Sequence, residues 1–172
     1  TPKTEYGLLI DKMTQRLYIL TKGWLFATLL ISTGYPTSDK PWNETPAGEF
    51  YLSSKVGDFP SGNMTCGYGM RFNCGDILHE TPYILNEKYN IKDYSYTEKY
   101  LGEKASHGCV RVQRKQNEDG INMKWIWDNV PLGTKLLIWD EDLRPIPYPV
   151  EDDTIFYYNP TGGKNYHADQ NC

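Results

Sequence analysis

The sequence predicts a mainly β fold with one or two short helices, arranged as a sandwich or a partly closed barrel. Aromatic residues make up 14% of the 172 residues, and 14 tyrosines account for most of them. The 15 glycines and 11 prolines favour turns over long helices. Short stretches of alternating hydrophobicity recur along the chain, whereas the regular strand–helix alternation of a parallel sheet is missing.

The N-terminal part of the chain predicts a meander of three strands, at about 5–10, 15–21 and 24–33. Apolar and polar residues alternate within each strand, and tight turns interrupt the pattern at Asp11–Lys12 and Lys22–Gly23. Proline and glycine then punctuate the middle of the chain. There we expect loops at 34–48 and 59–67, and strands at 49–57, 68–73 and 76–80.

The second half of the chain begins with a polar segment at 82–105 that is rich in tyrosine and has room for short helical pieces. Apolar residues at helical spacing predict a helix around 119–128, and a last strand follows at 133–140. Residues 1–142 are therefore expected to form one domain. Residues 143–172 are rich in Pro, Asp, Tyr and Gly and are expected to form an appendage, cut off at the end of the chain.

Charge and hydropathy exclude several classes of function. The net charge is -4 and no basic stripe is present, which argues against nucleic acid as a partner. No apolar run approaches the roughly 20 residues needed to cross a bilayer. The chain begins with "TPKTEY", without an initiator methionine or a signal peptide, which is typical of a trimmed form, although export itself does not follow from this start.

Four cysteines, at positions 66, 74, 109 and 172, form no Cys-x-x-Cys pair, so a thiol-ligated zinc site has little support. If Cys66 and Cys74 flank an extended strand, their Cα atoms lie up to ~26 Å apart at ~3.3 Å per residue. A disulfide needs a separation of about 5.5 Å. The sequence leaves both alternatives open, a continuous strand or a bridge.

The stretch "ASHGCVRV" at 105–112 places chemically active groups next to one another. Ser106, His107 and Arg111 surround Cys109, and Gly108 allows a tight backbone turn behind the sulfur. A thiol becomes a nucleophile when imidazole, guanidinium or backbone N–H groups favour the thiolate. Structural cysteines are usually buried among apolar neighbours, so this pattern favours a reactive thiol.

A general base for Cys109 need not adjoin it in sequence. The chain has only three histidines, His79, His107 and His167. His79 ends the predicted strand "DILHE", where the preceding isoleucine and leucine would hold it rigidly. We therefore expect His79 to be the base.

The order of these residues resembles the L,D-transpeptidase family, whose YkuD-type catalytic domain cross-links peptidoglycan. The family signature is a histidine at the end of one strand, followed later by Ser/Thr-His-Gly-Cys, an apolar residue and Arg or Asn. This chain supplies His79 and then "SHGCVR". "TPAGEF" at 45–50, "MRFN" at 70–73 and "WIWDNVPLGTKLLI" at 125–138 follow the family in the same order. The resemblance covers about residues 5–140.

The resemblance implies a cysteine transpeptidase with an L,D-transpeptidase-like β fold and no cofactor or metal. Cys109 would attack the carbonyl of the third residue of a donor stem tetrapeptide, expel D-Ala and form a thioester, which an acceptor amine resolves. His79 would deprotonate Cys109, with its other ring nitrogen held by the backbone carbonyl of residue 80 or nearby. The backbone N–H groups of His107, Gly108 and Cys109 would line an oxyanion site. The supporting residues are His107 in the catalytic group and Gly108, Ser106 and Glu80 around it.

The same resemblance implies the substrate contacts and the partners. Arg111 would hold a substrate carboxylate in a bidentate contact, and Tyr68 and Arg71 are further candidates for substrate binding. The partners would be peptidoglycan stem peptides, with carbapenem-type β-lactams as covalent inhibitors. The location would be extracellular and associated with the cell wall of a bacterium. Apart from the resemblance, the length and the five tyrosines of segment 81–105 leave two alternatives, a solvated loop whose tyrosines pack locally or a lid over the cleft.

Three features depart from the family pattern. The gap between His79 and Ser106 holds 26 residues and is longer than usual, Glu80 stands where Gly or Ser is common, and the tail beyond 142 matches no part of the domain. For that tail two alternatives stay open, a metal site at His167 and Cys172 or a disulfide of Cys172.

Three alternatives stay open at this point. An L,D-carboxypeptidase would use the same residues with water as the acceptor. A non-catalytic wall-binding module would not need Cys109, His79 and His107 together. A zinc hydrolase would use those three residues as ligands, but it would lack an acidic ligand.

Overall fold

The computed structural model describes residues 4–140, together with the backbone of residues 157–158 and 166–167. The strands are β1 (Tyr6–Asp11), β2 (Arg16–Thr21), β3 (Trp24–Ser32), β4 (Gly48–Tyr51), β5 (Ser54–Ser61), β6 (Met64–Arg71), β7 (Ile77–Glu80), β8 (Ile84–Asn86), β9 (Ile91–Asp93), β10 (Val110–Val112), β11 (Lys135–Trp139), β12 (Tyr157–Tyr158) and β13 (Tyr166–His167). The helices are α1 (Ser95–Glu98) and α2 (Met123–Asn129), with a single 3-10 turn at Pro41–Asn43.

Nine of the strands form one sheet in the order β4-β11-β1-β2-β3-β10-β7-β6-β5. The two edge strands of this sheet, β4 and β5, are joined in sequence by only Leu52 and Ser53. The Leu52 N–H donates to Thr134 O at 3.0 Å, and the Ser53 N–H donates to Arg71 O at 2.7 Å. Because only two residues connect one edge strand to the other, the sheet must curl back on itself. The predicted mainly β, partly closed barrel with two short helices is confirmed.

The interior of the curl holds the main hydrophobic core. Leu8, Leu29, Leu78 and Val110 are fully buried there, and Ile126 of α2 packs among them. Helix α2 begins at 123, later than the predicted 119, because Asn122 caps it: its side-chain oxygen accepts the Trp125 N–H at 2.9 Å. The preceding residues fold instead into a turn in which the Asn117 side chain accepts the Ile121 N–H.

Two predictions for the middle of the chain are wrong. The expected loop at 59–67 is a β-hairpin, in which Phe59 pairs with Cys66 and Pro60 pairs with Thr65. Proline is tolerated there because β5 is an edge strand and needs no donor on its outer side. The expected single strand at 49–57 is divided between β4 and β5, since the chain crosses from one sheet edge to the other at Leu52.

The tyrosine-rich segment between β7 and β10 is firmly attached to the sheet over its second half. Tyr100 O accepts the Ser32 hydroxyl at 2.6 Å, and the Gly102 N–H donates to Ile31 O at 2.8 Å. The Thr97 hydroxyl donates to Pro82 O at 2.5 Å. By contrast, the β8–β9 hairpin pairs only with itself in the sheet topology and exposes Leu85 and Ile91.

The disulfide alternative is wrong, and the strand alternative is confirmed. Cys66 lies within the extended strand β6, and Cys66, Cys74 and Cys109 are free thiols. Beyond residue 140, β12 and β13 pair antiparallel, with Tyr157 opposite His167. The domain boundary at 142 and the roles suggested for the His167 side chain and Cys172 fall outside the described residues and stay predictions. Within the part of the chain that the structure describes, no helix has the length and apolar character of a membrane span.

Candidate active site

The candidate site is built on β10, a short strand inserted between β3 and β7. It runs parallel to β7, with Val110 opposite Leu78 and Arg111 opposite His79. It runs antiparallel to β3, where Arg111 faces Ser32. Val110 and Leu78 point into the core. Because successive side chains alternate between the faces of a sheet, Arg111 and His79 share the opposite face.

His79 is held as a neutral imidazole with a defined tautomer. Its Nδ1 lies 2.6 Å from Glu80 O, and since a carbonyl oxygen can only accept, Nδ1 carries the proton. Burial lowers the pKa of His79 to about 4, with a smaller contribution from the nearby Arg111 charge. The ring of Phe59 packs edge-on at 5.4 Å and adds to the apolar cover. The lone pair is therefore on Nε2, where a base needs it.

Cys109 directly precedes β10 and is only partly exposed. Its Sγ lies 3.9 Å from Gly75 O. Burial raises the pKa of the Cys109 thiol, while a backbone hydrogen bond at Ile77 and the charges of Arg111 and Arg71 oppose that rise. The thiol is therefore protonated at neutral pH. Cys109 and His79 are therefore both uncharged at neutral pH.

Ser106 closes the turn that presents Cys109. Its hydroxyl donates to Cys109 O and accepts the Gly108 N–H at 3.3 Å. Gly108 has φ +121°, and a Cβ at this position would lie 2.9 Å from Asp76 Oδ1. Glycine is favoured here because residues with a side chain are strained at such a φ, and an added Cβ would also require the Asp76 side chain to move.

The three backbone N–H groups expected to line an oxyanion site are not equivalent. The Gly108 N–H is engaged by the Ser106 hydroxyl. Within residues 4–140, no acceptor contacts the N–H groups of His107 and Cys109. The His107 side chain is exposed, and its imidazole forms no hydrogen bond with another residue of the range 4–140.

Glu80 contributes to the site through its backbone. Its carbonyl orients His79, a task that any residue type can perform. The Glu80 side chain is buried, which raises the pKa of its carboxyl, and its Oε2 accepts the Tyr94 hydroxyl at 3.2 Å. Where the family commonly has Gly or Ser, this chain therefore has a carboxyl group that binds the inserted tyrosine-rich segment.

Arg111 is 8% exposed and lines a cavity of about 780 Å³ beside the site. Burial lowers its pKa, and among the described residues its guanidinium forms no ion pair with a carboxylate. A buried guanidinium without a carboxylate favours an anionic ligand. The other residues that line the cavity are Tyr35, Asn63, Met64, Ile84, Tyr96, Thr97, Tyr100, Glu103, Lys104 and Ala105.

The two remaining substrate-binding candidates, Arg71 and Tyr68, lie in different parts of the structure. Arg71 lies close enough for its charge to act on the Cys109 thiol, and its guanidinium donates to Cys74 O at 2.5 Å. Tyr68 instead packs against the core on the α2 side, with its ring 6.2 Å from that of Trp127. Tyr68 has φ +56° at an irregular point of β6. The structure does not bring Tyr68 to the other site residues.

Several residues at the site carried no role in the sequence-based prediction. Phe59 covers His79, and Asp76 abuts Gly108. The Thr45 hydroxyl donates a hydrogen bond to Gly108 O, in the turn that carries Cys109. In the sequence, Thr45 was indicated only by its place in "TPAGEF". Residues 4–140 contain no group of three His, Cys, Asp or Glu side chains that could hold a metal ion, and this covers the set His79, His107 and Cys109.

The chain is similar to known proteins over the same region. A family model described as the L,D-transpeptidase catalytic domain (YkuD) matches residues 5–138. YciB of Bacillus subtilis (strain 168), whose own assignment as an L,D-transpeptidase is provisional, is 33% identical over 134 residues, which cover 75% of this chain and 63% of YciB.

Solved structures share the fold at lower identity. One is an L,D-transpeptidase (LdtMt1) in complex with imipenem, with a TM-score of 0.56, 18% identity, and coverage of 78% of this chain and 59% of that chain. Another is L,D-transpeptidase 3 from Mycobacterium tuberculosis in complex with a faropenem-derived adduct, with a TM-score of 0.58, 16% identity, and coverage of 79% and 60%. The chain thus spans about 60% of the length of these relatives.

Proposed function

The chain belongs to the L,D-transpeptidase catalytic-domain family, and from this membership and the geometry of the site we propose that it is a cysteine-dependent L,D-transpeptidase acting on peptidoglycan stem peptides. The observation that carries the proposal is the pairing of β7 with β10. It places His79, with Nδ1 bonded to Glu80 O, on the strand next to the one that Cys109 precedes.

The first half-reaction forms a thioester. Cys109 Sγ attacks the carbonyl carbon of the third residue of a donor tetrapeptide, and its proton passes to Nε2 of His79. The oxyanion is stabilised by backbone N–H groups of the 106–109 turn. The tetrahedral intermediate collapses by breaking the peptide bond to D-Ala, whose amine takes the proton from His79. Arg111 binds a substrate carboxylate from the cavity side.

The protonation states support general-base catalysis in preference to a preformed ion pair. Burial raises the pKa of Cys109 and lowers that of His79, so the resting pair is uncharged. The proton therefore moves to His79 as the sulfur attacks, and it is available for the leaving amine.

The second half-reaction distinguishes a transferase from a hydrolase. In transpeptidation an amine of an acceptor stem attacks the thioester and restores Cys109. In the alternative, an L,D-carboxypeptidase, water takes the place of the amine at the same residues. Analysis of products by mass spectrometry with and without acceptor stem peptide separates the two, because only transfer gives a cross-linked product that depends on acceptor.

We further propose an extracellular, wall-associated location, since the stem peptides of peptidoglycan lie there. A carbapenem is a suitable probe of the nucleophile, because the related L,D-transpeptidase structures hold imipenem and a faropenem-derived adduct. These compounds carry a strained amide carbonyl that an activated thiol can open.

The test is intact mass spectrometry after exposure to imipenem, followed by peptide mapping. We expect one adduct, on Cys109, which disappears in Cys109→Ala and persists in the control Cys74→Ala, where an exposed neighbouring thiol is removed. Cys66 should stay unmodified, because burial raises its pKa to about 12. His79→Ala should slow acylation by roughly 10²-fold or more, the range of a general base. Acylation at another residue, or a wild-type rate in Cys109→Ala, would refute the proposal.

A further inference from the structure

Thr45 connects the loop before β4 to the turn that carries the nucleophile. It is fully buried, and its hydroxyl makes two hydrogen bonds. The hydroxyl donates to Gly108 O at 2.7 Å and accepts the Gly34 N–H at 2.7 Å. Both bonds join segments that are far apart in sequence, so Thr45 lies at a point where three segments of chain meet.

The bond to Gly108 O fixes the direction of a different atom, the N–H of Cys109. Gly108 C=O and Cys109 N–H belong to one planar trans peptide group and point in opposite directions. When Thr45 holds the carbonyl on the buried side, the Cys109 N–H is directed away from Thr45. Ser106 does not set this peptide plane, since it bonds the carbonyl of the next peptide, at Cys109, and the Gly108 N–H.

Thr45 is itself held at both ends. Its own carbonyl oxygen accepts from Lys12 Nζ at 2.7 Å, and this fully buried lysine also pairs with Glu44 and Asp140. On the other side, a Cβ on Gly34 would lie 1.8 Å from Asn43 O, so the approach of the two backbones requires glycine. The Thr45 hydroxyl therefore has little freedom to follow the 106–109 turn if that turn shifts.

We propose that Thr45 is a positioning residue of the oxyanion site, which aims the Cys109 N–H at the oxyanion by fixing the Gly108–Cys109 peptide plane. This inference rests on the proposed cysteine mechanism. Thr45 touches no reacting atom and acts through the peptide. Its contribution is made only in steps that generate an oxyanion, and this distinguishes it from a residue that merely supports the fold.

The test compares two reactions of the same sulfur in Thr45→Val, which keeps the branched shape and removes the hydroxyl. Acylation by imipenem passes through a tetrahedral oxyanion, whereas alkylation by iodoacetamide is a displacement that forms none. Loss of an oxyanion donor costs roughly 10²–10³-fold, and a misaimed donor should cost about tenfold or more in acylation. Alkylation should stay within about twofold of wild type, and Thr45→Ser should restore acylation.

Thr81→Val is the matched control. The Thr81 hydroxyl is equally buried and donates to Val112 O at 3.1 Å, a carbonyl on the same segment that does not flank the nucleophile. It should leave the ratio of the two rates unchanged. If Thr45→Val does not fold, Thr45→Ala and Thr45→Ser, which differ only in the hydroxyl, give the same comparison.

The outcomes are distinct. A selective loss of acylation in Thr45→Val supports the inference. Equal losses in both reactions, or a wild-type acylation rate in Thr45→Val, overturn it and leave the cysteine mechanism intact. If the wild-type protein itself is not acylated at Cys109, the proposed function fails first.

Discussion

Lowering the pH from 7 to 4.5 should destabilise the folded protein through His79 in particular. Burial lowers the pKa of His79 from the ordinary 6.5 to about 4. In the unfolded chain, His79 therefore takes up a proton as the pH falls through 6.5. In the folded protein, its imidazole stays neutral until about pH 4. The free energy of unfolding is therefore unaffected by His79 above pH 6.5, and it decreases as the pH falls from 6.5 toward 4.

The size of the effect follows from the two pKa values. Each pKa unit that separates the folded and unfolded states is worth about 1.4 kcal/mol, so the full difference is about 3 kcal/mol. Between pH 7 and pH 4.5 the protein should lose about 2 kcal/mol of this. That is a substantial part of the roughly 5–15 kcal/mol by which a domain is stable.

Urea unfolding of wild type and His79→Gln at pH 7, 5.5 and 4.5 isolates this contribution. Glutamine cannot titrate, so the wild type should lose about 2 kcal/mol more than the variant over this range, whatever the variant's absolute stability. His107→Gln, which removes an exposed imidazole, is the control for loss of a histidine as such. Parallel losses in wild type and His79→Gln would refute the reasoning. If the variant does not fold, NMR of labelled histidine gives the same answer, since a His79 ring that titrates near 6.5 contradicts its burial.

Two further predictions concern substrate binding. Arg111→Lys keeps the charge but loses the paired geometry of guanidinium, so we expect a raised KM or a lowered kcat on stem peptides that bear a carboxylate, and little change on a neutral analogue. Removing the tip of the exposed hairpin, by joining Leu85 to Lys92 through Asn-Gly, should leave imipenem acylation of Cys109 largely intact while it raises the KM for stem peptides and the ratio of hydrolysis to transfer.

Steady-state kinetics and product analysis check both variants. Equal losses on charged and neutral substrates would make Arg111 a structural residue. If the variant with the shortened hairpin has an unchanged KM and product ratio, the hairpin only connects its neighbouring elements and does not contact the substrate. The excision spares residues 94–105, because Tyr100 O and the Gly102 N–H bond the β3 strand and their removal would disturb the sheet itself.

Much of the fold followed from local pattern, and the failures occurred where position in the sheet overrides it. The alternation in β1, β2 and β3 predicted these strands to within a residue or two. Pro60 and its neighbouring glycine, by the same local rules, indicated a loop. They belong to a hairpin instead, since β5 lies at the edge of the sheet, and edge positions are fixed only when all strands are assembled.

Tyr68 shows a similar limit on the site. The resemblance made it a candidate for substrate binding, but its ring packs against the core beside Trp127, and nothing in the local sequence indicates the positive φ that its backbone adopts. Thr45 shows the converse. Its bond to Gly108 joins residues 63 positions apart, and nothing in the covalent neighbourhood of either residue reveals it.

The sequence by itself determined which groups carry the chemistry. Ser106, Gly108 and Cys109 are covalent neighbours, and their types and spacing can be read without a fold. The tertiary structure decided in what state those groups are held: neutral His79 with its proton on Nδ1, a protonated thiol, and one backbone N–H already engaged by Ser106. The physical reason is that protonation and hydrogen bonding depend on burial and on partners from distant strands, and these exist only once the sheet has curled around its core.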